Sequence, residues 1–343
     1  MNVREAVITR FGGPEVLEVR RRDLALPGPG KVRLAVTAAG MSYNEVFLRR
    51  GIDRNTALPR VRPPFVAGYD VYGIAESCGP GVDGILTGRP YVALTGLGGH
   101  ADGIVLPAHE LVPVPEGVDP AEAVSLVLNG VTAWQMLHRT ARPREGGTIL
   151  VHGAGGGVGS LLVQLGRAAG LTVLGTARSQ HHDWLRAQGV TPIDYTRENF
   201  VEAVRRLAPN GVDAAFDPQG GRNAVRSYTT LARGGTLVLY GDMGKLTTNQ
   251  ASAALGMASA MARNLLFWRR RRVRFYSIGL AKKRQPAQFR EDLMQLLERA
   301  RLGTLRPLIA ARLPLDEVRR AHELVEGGLI SGRVVLMPGG PAH

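Results

Sequence analysis

The sequence predicts an α/β protein, with a doubly wound parallel sheet in its second half and a β-rich part before it. Three observations carry this expectation. From Thr148 to Ile278, short apolar strands alternate with helical stretches, the texture of βαβ units covered on both faces. A glycine cluster, Gly153-Ala154-Gly155-Gly156-Gly157-Val158-Gly159, sits between one such strand and its helix. Before Asp119, short β-branched runs are separated by glycine and proline turns.

The elements follow in order. Val3–Thr9, Leu17–Val19 and Lys31–Ala38 read as strands, with Phe11-Gly12-Gly13-Pro14 and Pro27-Gly28-Pro29-Gly30 as turns between them. Phe65–Ala75, Tyr91–Leu94 and Gly103–Leu106 continue the pattern. Helical spacing begins at Pro120–Leu128 and Thr132–Arg139, with Asp119 as N-cap and Pro120 at the first helical position. Six strands come next: Thr148–His152, Thr172–Thr176, Thr191–Asp194, Val212–Phe216, Thr236–Tyr240 and Val273–Ile278. Val158–Ala169, Gln180–Ala187, Phe200–Leu207 and Arg222–Leu231 are the helices among them. A helix (Phe289–Ala300), a strand near Ala310–Pro314, a helix (Leu315–Glu326) and a strand (Gly332–Met337) close the chain.

Composition narrows the function classes. With 343 residues, 44% of them apolar and 21% charged, the chain accommodates a sizeable core and does not read as disordered. It has no apolar run long enough to span a membrane, and Met1-Asn2-Val3-Arg4-Glu5 is no signal core, so a cytoplasmic protein is expected. Cys78, the single cysteine, reads as part of a glycine-rich turn and excludes an internal disulfide or a multi-thiolate zinc site. His100 and His109, with no thiolate beside them, read as surface or loop histidines, and no metal is expected. The net charge of +14 is carried by 43 basic residues, 39 of them arginine. Only Phe267 to Tyr276 interleaves cations with aromatics, so the charge reads as solvated surface and as a complement to an anionic ligand, not to nucleic acid.

The glycine cluster has the context that gives such a loop meaning: buried strand, glycines, amphipathic helix, second strand. Glycines let the backbone approach a pyrophosphate closely, and the helix N-terminus offers it unpaired N–H groups. Gly155, Gly156, Gly157 and Val158 are the candidate contacts. A dinucleotide lacking the 2′-phosphate is usually held by an acid about 20 residues further on. Here the second strand ends in Arg178 and Ser179, followed by His181, with no acid before Asp183. That pattern favours a 2′-phosphate, and so NADPH over NADH.

The run from His138-Arg139 through Gly146-Gly147-Thr148-Ile149-Leu150-Val151-His152 into the glycine cluster resembles the zinc-independent quinone oxidoreductase and enoyl reductase branch of the medium-chain dehydrogenase/reductases. The resemblance covers nearly the whole chain. Leu128-Asn129-Gly130-Val131-Thr132-Ala133 is similar to the segment entering the cofactor domain, which makes Asn129 and Thr132 candidate contacts. Thr191-Pro192-Ile193-Asp194-Tyr195 resembles the strand whose tyrosine, here Tyr195, lies by the 2′-phosphate. Asp217-Pro218-Gln219-Gly220-Gly221 and Tyr240-Gly241-Asp242 resemble loops lining the ribose and nicotinamide, contributing Asp217 and Gly241. Ser331-Gly332-Arg333-Val334 resembles the closing strand, with Arg333 where the family often has lysine.

The resemblance implies a GroES-like catalytic domain from residues 1–124 and 284–343, a Rossmann domain over 125–283, and an active site in the cleft. It also implies a homodimer or dimer of dimers, often paired edge to edge through the last Rossmann strand, here Val273–Ile278. Without a metal, hydride must go to an acceptor that is already electrophilic: an enone, an enoyl group or a quinone. Tyr43 and Asn44 are the candidate catalytic residues, on a loop expected to face the nicotinamide. Tyr43 is assigned a proton or hydrogen bond and Asn44 the carbonyl; packing is the alternative for Tyr43. Glu45 reads as a structural acid paired with an arginine. Thr247–Asn264 reads as a core helix or a wall of the substrate pocket. The adjacent Arg269–Arg272 leaves a carrier-bound substrate open. Two other functions remain: a cofactor-binding relative without redox turnover, and a non-redox cyclisation or isomerisation enzyme.

Overall fold

The computed structural model describes residues 2–52, 61–241, 258, 262 and 271–339. They form two compact units, one from residues 1–131 and 278–343 and the other from 132–277. Apart from Ala258 and Ala262, the segment Thr247–Asn264 lies outside the described residues, as do Asp242 and Arg269–Arg270. Among the described residues, no helix is long and apolar enough to cross a membrane.

The first unit is built on antiparallel strands. β1 (Asn2–Ile8) pairs with β2 (Leu17–Asp23) and β4 (Phe65–Val66) in a three-stranded sheet. The larger sheet centres on β3 (Lys31–Met41) and β5 (Asp70–Cys78). It continues outward through β6 (Pro90–Leu94) and β8 (Val112–Pro113), while β7 (Gly103–Pro107) also pairs β3. From the far end of the chain, β16 (Arg333–Met337) pairs antiparallel with β3, and β15 (Ile309–Pro314) lies parallel outside it. Along β3, Val32, Leu34 and Val36 alternate inward as a half-buried strand requires; from Ala38 to Met41 every residue is buried. The pairing with β5 shifts register between Val36 and Ala38.

Buried charge ties the two chain ends of this unit together. Asp70 and Arg333 are only 0% and 2% exposed, and Arg333 Nη2 donates to Asp70 Oδ1 at 2.7 Å. Arg333 Nη1 donates to the Val124 carbonyl, and Asp70 Oδ2 accepts from Leu128 N. A Cβ on Gly40 would stand 2.0 Å from Arg333 Nη2, so the pair needs a glycine there. Arg49, fully buried, pairs with Glu326, and Arg4 bridges Asp102, Asp316 and the Pro338 carbonyl.

Several expectations are corrected here. Cys78 ends strand β5 instead of lying in the turn. His100 is a core residue, not a surface one: it is fully buried, with Nε2 3.2 Å from the Gly40 carbonyl. Burial holds its pKa down to about 4, and burial likewise depresses buried His322, whose ring meets His100 edge-on. His109 is exposed as expected. The predicted helix after Asp119 forms, and Asp119 accepts from Ala121 N and Glu122 N. Neither predicted stretch, Pro120–Leu128 or Thr132–Arg139, is α-helical throughout: α-helical Pro120–Ser125 and Val131–Gln135 are each followed by a π-helical stretch.

The second unit is a six-stranded, wholly parallel sheet in the order β11-β10-β9-β12-β13-β14. These strands are β9 (Thr148–His152), β10 (Thr172–Ala177), β11 (Thr191–Asp194), β12 (Val212–Asp217), β13 (Leu231–Leu239) and β14 (Arg272–Phe275). Numbered within the unit, that order is 3-2-1-4-5-6, the doubly wound arrangement of a Rossmann fold. Leu150, Leu174, Ala215 and Leu237 fill its core, since a strand covered on both faces must be apolar throughout. The last strand stops at Phe275, short of the predicted Ile278, which instead opens a helix, Ile278–Arg284. β14 is the sheet edge, with Arg272, Arg274 and Phe275 exposed.

Replacing Arg333 with Met leaves the Asp70 carboxylate buried without its partner. Arg333→Met is expected to destabilise the protein by about 3–5 kcal/mol in urea unfolding. An effect within experimental error would mean that the pair contributes nothing to the fold.

Candidate active site

In the second unit, strand order reverses between β9 and β12, and ligands of open α/β sheets bind outside the strand ends at such a point. The loop leaving β9 is the glycine cluster, and it opens a 12-residue helix, Gly157–Ala168. Gly156 is the N-cap and no side chain caps the helix, so its first N–H groups are presented by backbone alone. The loop folds back on itself: Gly156 N donates to the Gly153 carbonyl, and Ala154 N to the Thr176 carbonyl of β10. A Cβ on Gly159 would meet that Gly153 oxygen at 2.1 Å, and one on Gly155 would meet the His181 ring at 2.6 Å.

At the end of β10, Arg178 is exposed and its Nε donates to the Tyr195 hydroxyl at 3.2 Å. The two residues come from successive strands and lie 17 apart in sequence. Tyr195 is 49% exposed. Ser179 opens a short 3-10 turn ending at His181. His181 is buried under the glycine loop, where burial, then the nearby His182 and Arg178, hold its pKa down. Asp194, the acid closing β11, is taken up by Thr196 N and Oγ1, which hold its pKa down.

At the end of β12, Asp217 is fully buried and organises its own loop. It accepts from Gln219 N, Gly220 N, Asn223 Nδ2 and Ser227 Oγ. The Ser227 hydroxyl is also 2.9 Å from His152 Nε2, and His152 Nδ1 is 3.0 Å from Thr176 Oγ1. Three strand ends are thereby joined by one buried polar chain. Burial lowers the pKa of His152, against a smaller opposing pull from Asp217. Gly241, after β13, packs on Pro218.

In the first unit, Tyr43 and Asn44 are the first two residues of a helix, α1 (Tyr43–Arg49), and not part of a loop. Ser42 caps it. Asn44 N donates to Ser42 Oγ, and buried Glu45 returns to accept from Ser42 N. Glu45 Oε2 is 2.5 Å from Ser42 Oγ, and Glu45 Oε1 accepts from Tyr69 N at 3.1 Å. Burial raises the Glu45 pKa to about 7; the Ser42 hydrogen bond lowers it, Asp70 raises it further and Arg333 counters. Glu45 is bonded by Ser42 and Tyr69 N, not by an arginine as expected, and Arg333 is bonded to Asp70. The Tyr43 hydroxyl lies 3.1 Å from where a Cβ on Gly328 would stand.

Two protein families match the chain. The alcohol dehydrogenase GroES-like domain family matches residues 28–116, and the zinc-binding dehydrogenase family matches residues 185–336. The chain is 30% identical to a 2-haloacrylate reductase from Burkholderia, over 98% of this chain and 99% of that protein. It is 32% identical to the synaptic vesicle membrane protein VAT-1 homolog of Rattus norvegicus, over 97% of this chain and 83% of that protein. A mycobacterial structure complexed with NADPH superposes with a TM-score of 0.83 at 27% identity, covering 98% of this chain and 100% of the other.

The chain belongs to the medium-chain dehydrogenase/reductase superfamily.

It is also 30% identical to a quinone oxidoreductase of Rattus norvegicus, over 96% of each chain, and it is an oxidoreductase by its relatives. Although the second matching family is named for zinc, no group of three or more His, Cys, Asp or Glu is placed to hold a metal among the described residues. A dinucleotide suits the glycine loop: an uncapped helix N-terminus, and a backbone packed so closely that side chains are excluded. Of the candidate cofactor residues, Gly155, Gly156, Gly157 and Val158 form that loop, and Arg178, Ser179 and Tyr195 cluster at the ends of β10 and β11. Asn129 and Thr132 are buried, Asn129 in the π-helical stretch Leu126–Gly130. Arg333 lies in the first unit, with its guanidinium engaged by Asp70 and Val124. Ser42 and Glu45 are not paired by the sequence expectations, although Ser42-Tyr43-Asn44-Glu45 before an apolar run is a capping-box pattern.

Gly159→Ala places a methyl group against the Gly153 carbonyl. The substitution is expected to cost about 1–3 kcal/mol of stability, read by thermal or urea unfolding. Unchanged stability would show that the loop has room to give way.

Proposed function

We propose that this oxidoreductase takes NADPH and reduces an electron-poor carbon–carbon double bond conjugated to a carbonyl, with quinones as alternative acceptors. The observation that carries the cofactor choice is the Arg178–Tyr195 hydrogen bond at the strand end where an acid would hold an unphosphorylated ribose. Arg178 offers a fixed cation, Ser179 and Tyr195 offer hydroxyls, and the acid on the next strand, Asp194, turns Oδ1 to Thr196 and keeps Oδ2 buried. A 2′-phosphate matches that set through charge-assisted hydrogen bonds; two ribose hydroxyls do not. The glycine loop holds the pyrophosphate by backbone N–H groups and the helix N-terminus.

When bound, the nicotinamide supplies hydride. The chain's own residues have to manage the charge that hydride creates on the substrate. Addition at the β-carbon of an enone or enoyl group leaves an enolate oxygen, and a hydrogen bond aimed at it lowers the barrier. Tyr43 and Asn44 are the side chains assigned to that oxygen. They are the first two residues of α1. The 2-haloacrylate reductase among the relatives acts, by its name, on an activated double bond. A homodimer paired through the exposed edge of β14 belongs to the same reading.

NADPH is expected to bind at least about tenfold tighter than NADH, about 1.4 kcal/mol, by calorimetry. Arg178→Ala should remove most of that preference and leave NADH affinity intact. Equal affinities in the wild type would overturn the cofactor assignment.

Tyr43→Phe removes one hydroxyl. Stability and NADPH affinity should hardly change, while kcat on the best enone falls roughly 10- to 1,000-fold with little change in KM. A quinone, which accepts hydride with less help, should lose much less. An unaltered kcat on the enone would reduce Tyr43 to a packing residue.

A further inference from the structure

Reduction of a conjugated double bond needs a proton at the α-carbon as well as hydride at the β-carbon, and the reading above places Tyr43 and Asn44 at the enolate oxygen. The first unit contains a side-chain pair arranged to hold and pass one. Glu45 is fully buried, so its carboxyl has no direct exchange with bulk water. Its Oε2 stands 2.5 Å from Ser42 Oγ, and Ser42 is only half-buried, directly before Tyr43. Ser42 Oγ also accepts from Asn44 N, which fixes the hydroxyl at the helix start. The other carboxyl oxygen is pinned by Tyr69 N, so the carboxyl plane cannot turn away.

We propose that Glu45 and Ser42 form a proton relay for the reductase reaction: Ser42 Oγ gives its hydrogen to the substrate α-carbon and is reprotonated by Glu45. This rests on the reductase reading given above. In the step, the Ser42 O–H bond breaks as the α-carbon–hydrogen bond forms, using the enolate electron pair. The Glu45 Oε2–H bond breaks as the Ser42 hydroxyl reforms, leaving a carboxylate. Between turnovers the carboxylate regains its proton through the half-buried Ser42 hydroxyl, which takes one from water. The reductant is the reduced nicotinamide dinucleotide, and no other co-reactant is required.

The electrostatic surroundings support a carboxyl that carries a proton near neutrality. The groups facing Glu45 are Asp70 on β5, which opposes its ionisation, and Arg333 on β16, which is already bonded to Asp70. His100, beside Gly40 and Arg333, is neutral above about pH 4 and adds no charge. With its pKa raised to about 7, Glu45 is protonated on the acid side of that value and ionised on the alkaline side. An acid catalyst therefore loses activity as pH rises through about 7. Stability moves in the same direction: the folded state holds this proton more tightly than the unfolded chain, so stability is lost as pH rises toward the folded pKa.

The test uses the full-length protein with NADPH, an enone and a quinone. Glu45→Gln keeps the capping acceptor but has no proton to pass; Ser42→Ala removes the hydroxyl, and Ser42→Thr restores both hydroxyl and cap. Glu45→Gln and Ser42→Ala are each expected to lower kcat on the enone by roughly 100-fold. Ser42→Thr should stay close to wild type, and the alkaline fall in kcat should vanish in Glu45→Gln. In the protein without cofactor, infrared spectroscopy should find a protonated carboxyl band that titrates away with rising pH and is missing from Glu45→Gln. A folded Ser42→Ala with wild-type kcat, an unchanged pH profile in Glu45→Gln, or no such band overturns the relay alone. A wild type that turns over no enone, enoyl thioester or quinone with either dinucleotide overturns the relay together with the reductase reading.

Discussion

The first unit depends on the buried pair of Asp70 and Arg333. These residues are 263 apart in sequence, one on the central strand β5 and the other on β16 near the C-terminus. Two opposite charges removed from water repay their desolvation only with good geometry and further hydrogen bonds, which here serve the polar atoms of the pair except Arg333 Nε. Here Asp70 also takes Leu128 N, and Arg333 also reaches the Val124 carbonyl. The pair thereby fixes β16 against β3, and fixes the segment leading to Asn129. Gly40 is the steric condition for all of it, because a methyl group there would occupy the space of the guanidinium. Glu45 and His100 acquire their shifted acidities in the same buried environment.

The two units meet the problem of charge with different materials. The second presents backbone N–H groups at a helix start, with glycines that keep side chains out of the way, and adds a single exposed arginine at the strand end. Backbone donors suit pyrophosphate, which every dinucleotide shares, whereas the arginine distinguishes one dinucleotide from another. The first unit uses buried side chains instead. A buried carboxyl that caps a helix, is bonded to a hydroxyl and faces another carboxylate, Asp70, is suited to storing a proton and unsuited to binding an anion.

Many elements were legible because their signals are local. Asp119-Pro120 marks a helix start wherever it occurs, and here the aspartate does cap Ala121 and Glu122. The strands from Thr148 to Phe216 are apolar on both faces and bounded by turn residues, so their positions follow from composition alone. Errors arose where tertiary contacts outweigh local cues. His100 sits in a glycine-rich stretch, Gly98-Gly99-His100-Ala101, that reads as a loop, but its ring lies against Gly40 in the core. Val273–Ile278 reads as one strand, yet only its first half pairs with β13. The helix at Tyr43 is short and was hidden by glycine and polar neighbours, although its capping box was present in the letters.

The sequence by itself determined the Rossmann sheet, the glycine loop and the absence of an acid after the second strand, because periodicity, glycine spacing and residue type are local properties. It also carried the family, through motifs spread along most of the chain. Only the tertiary structure decided which charges meet. It gave Arg333 to Asp70 and not to Glu45, buried His181 beneath Gly155, and brought Tyr195 to Arg178. Those pairings depend on distances between segments far apart in sequence. No local pattern encodes such distances; the packed strands impose them.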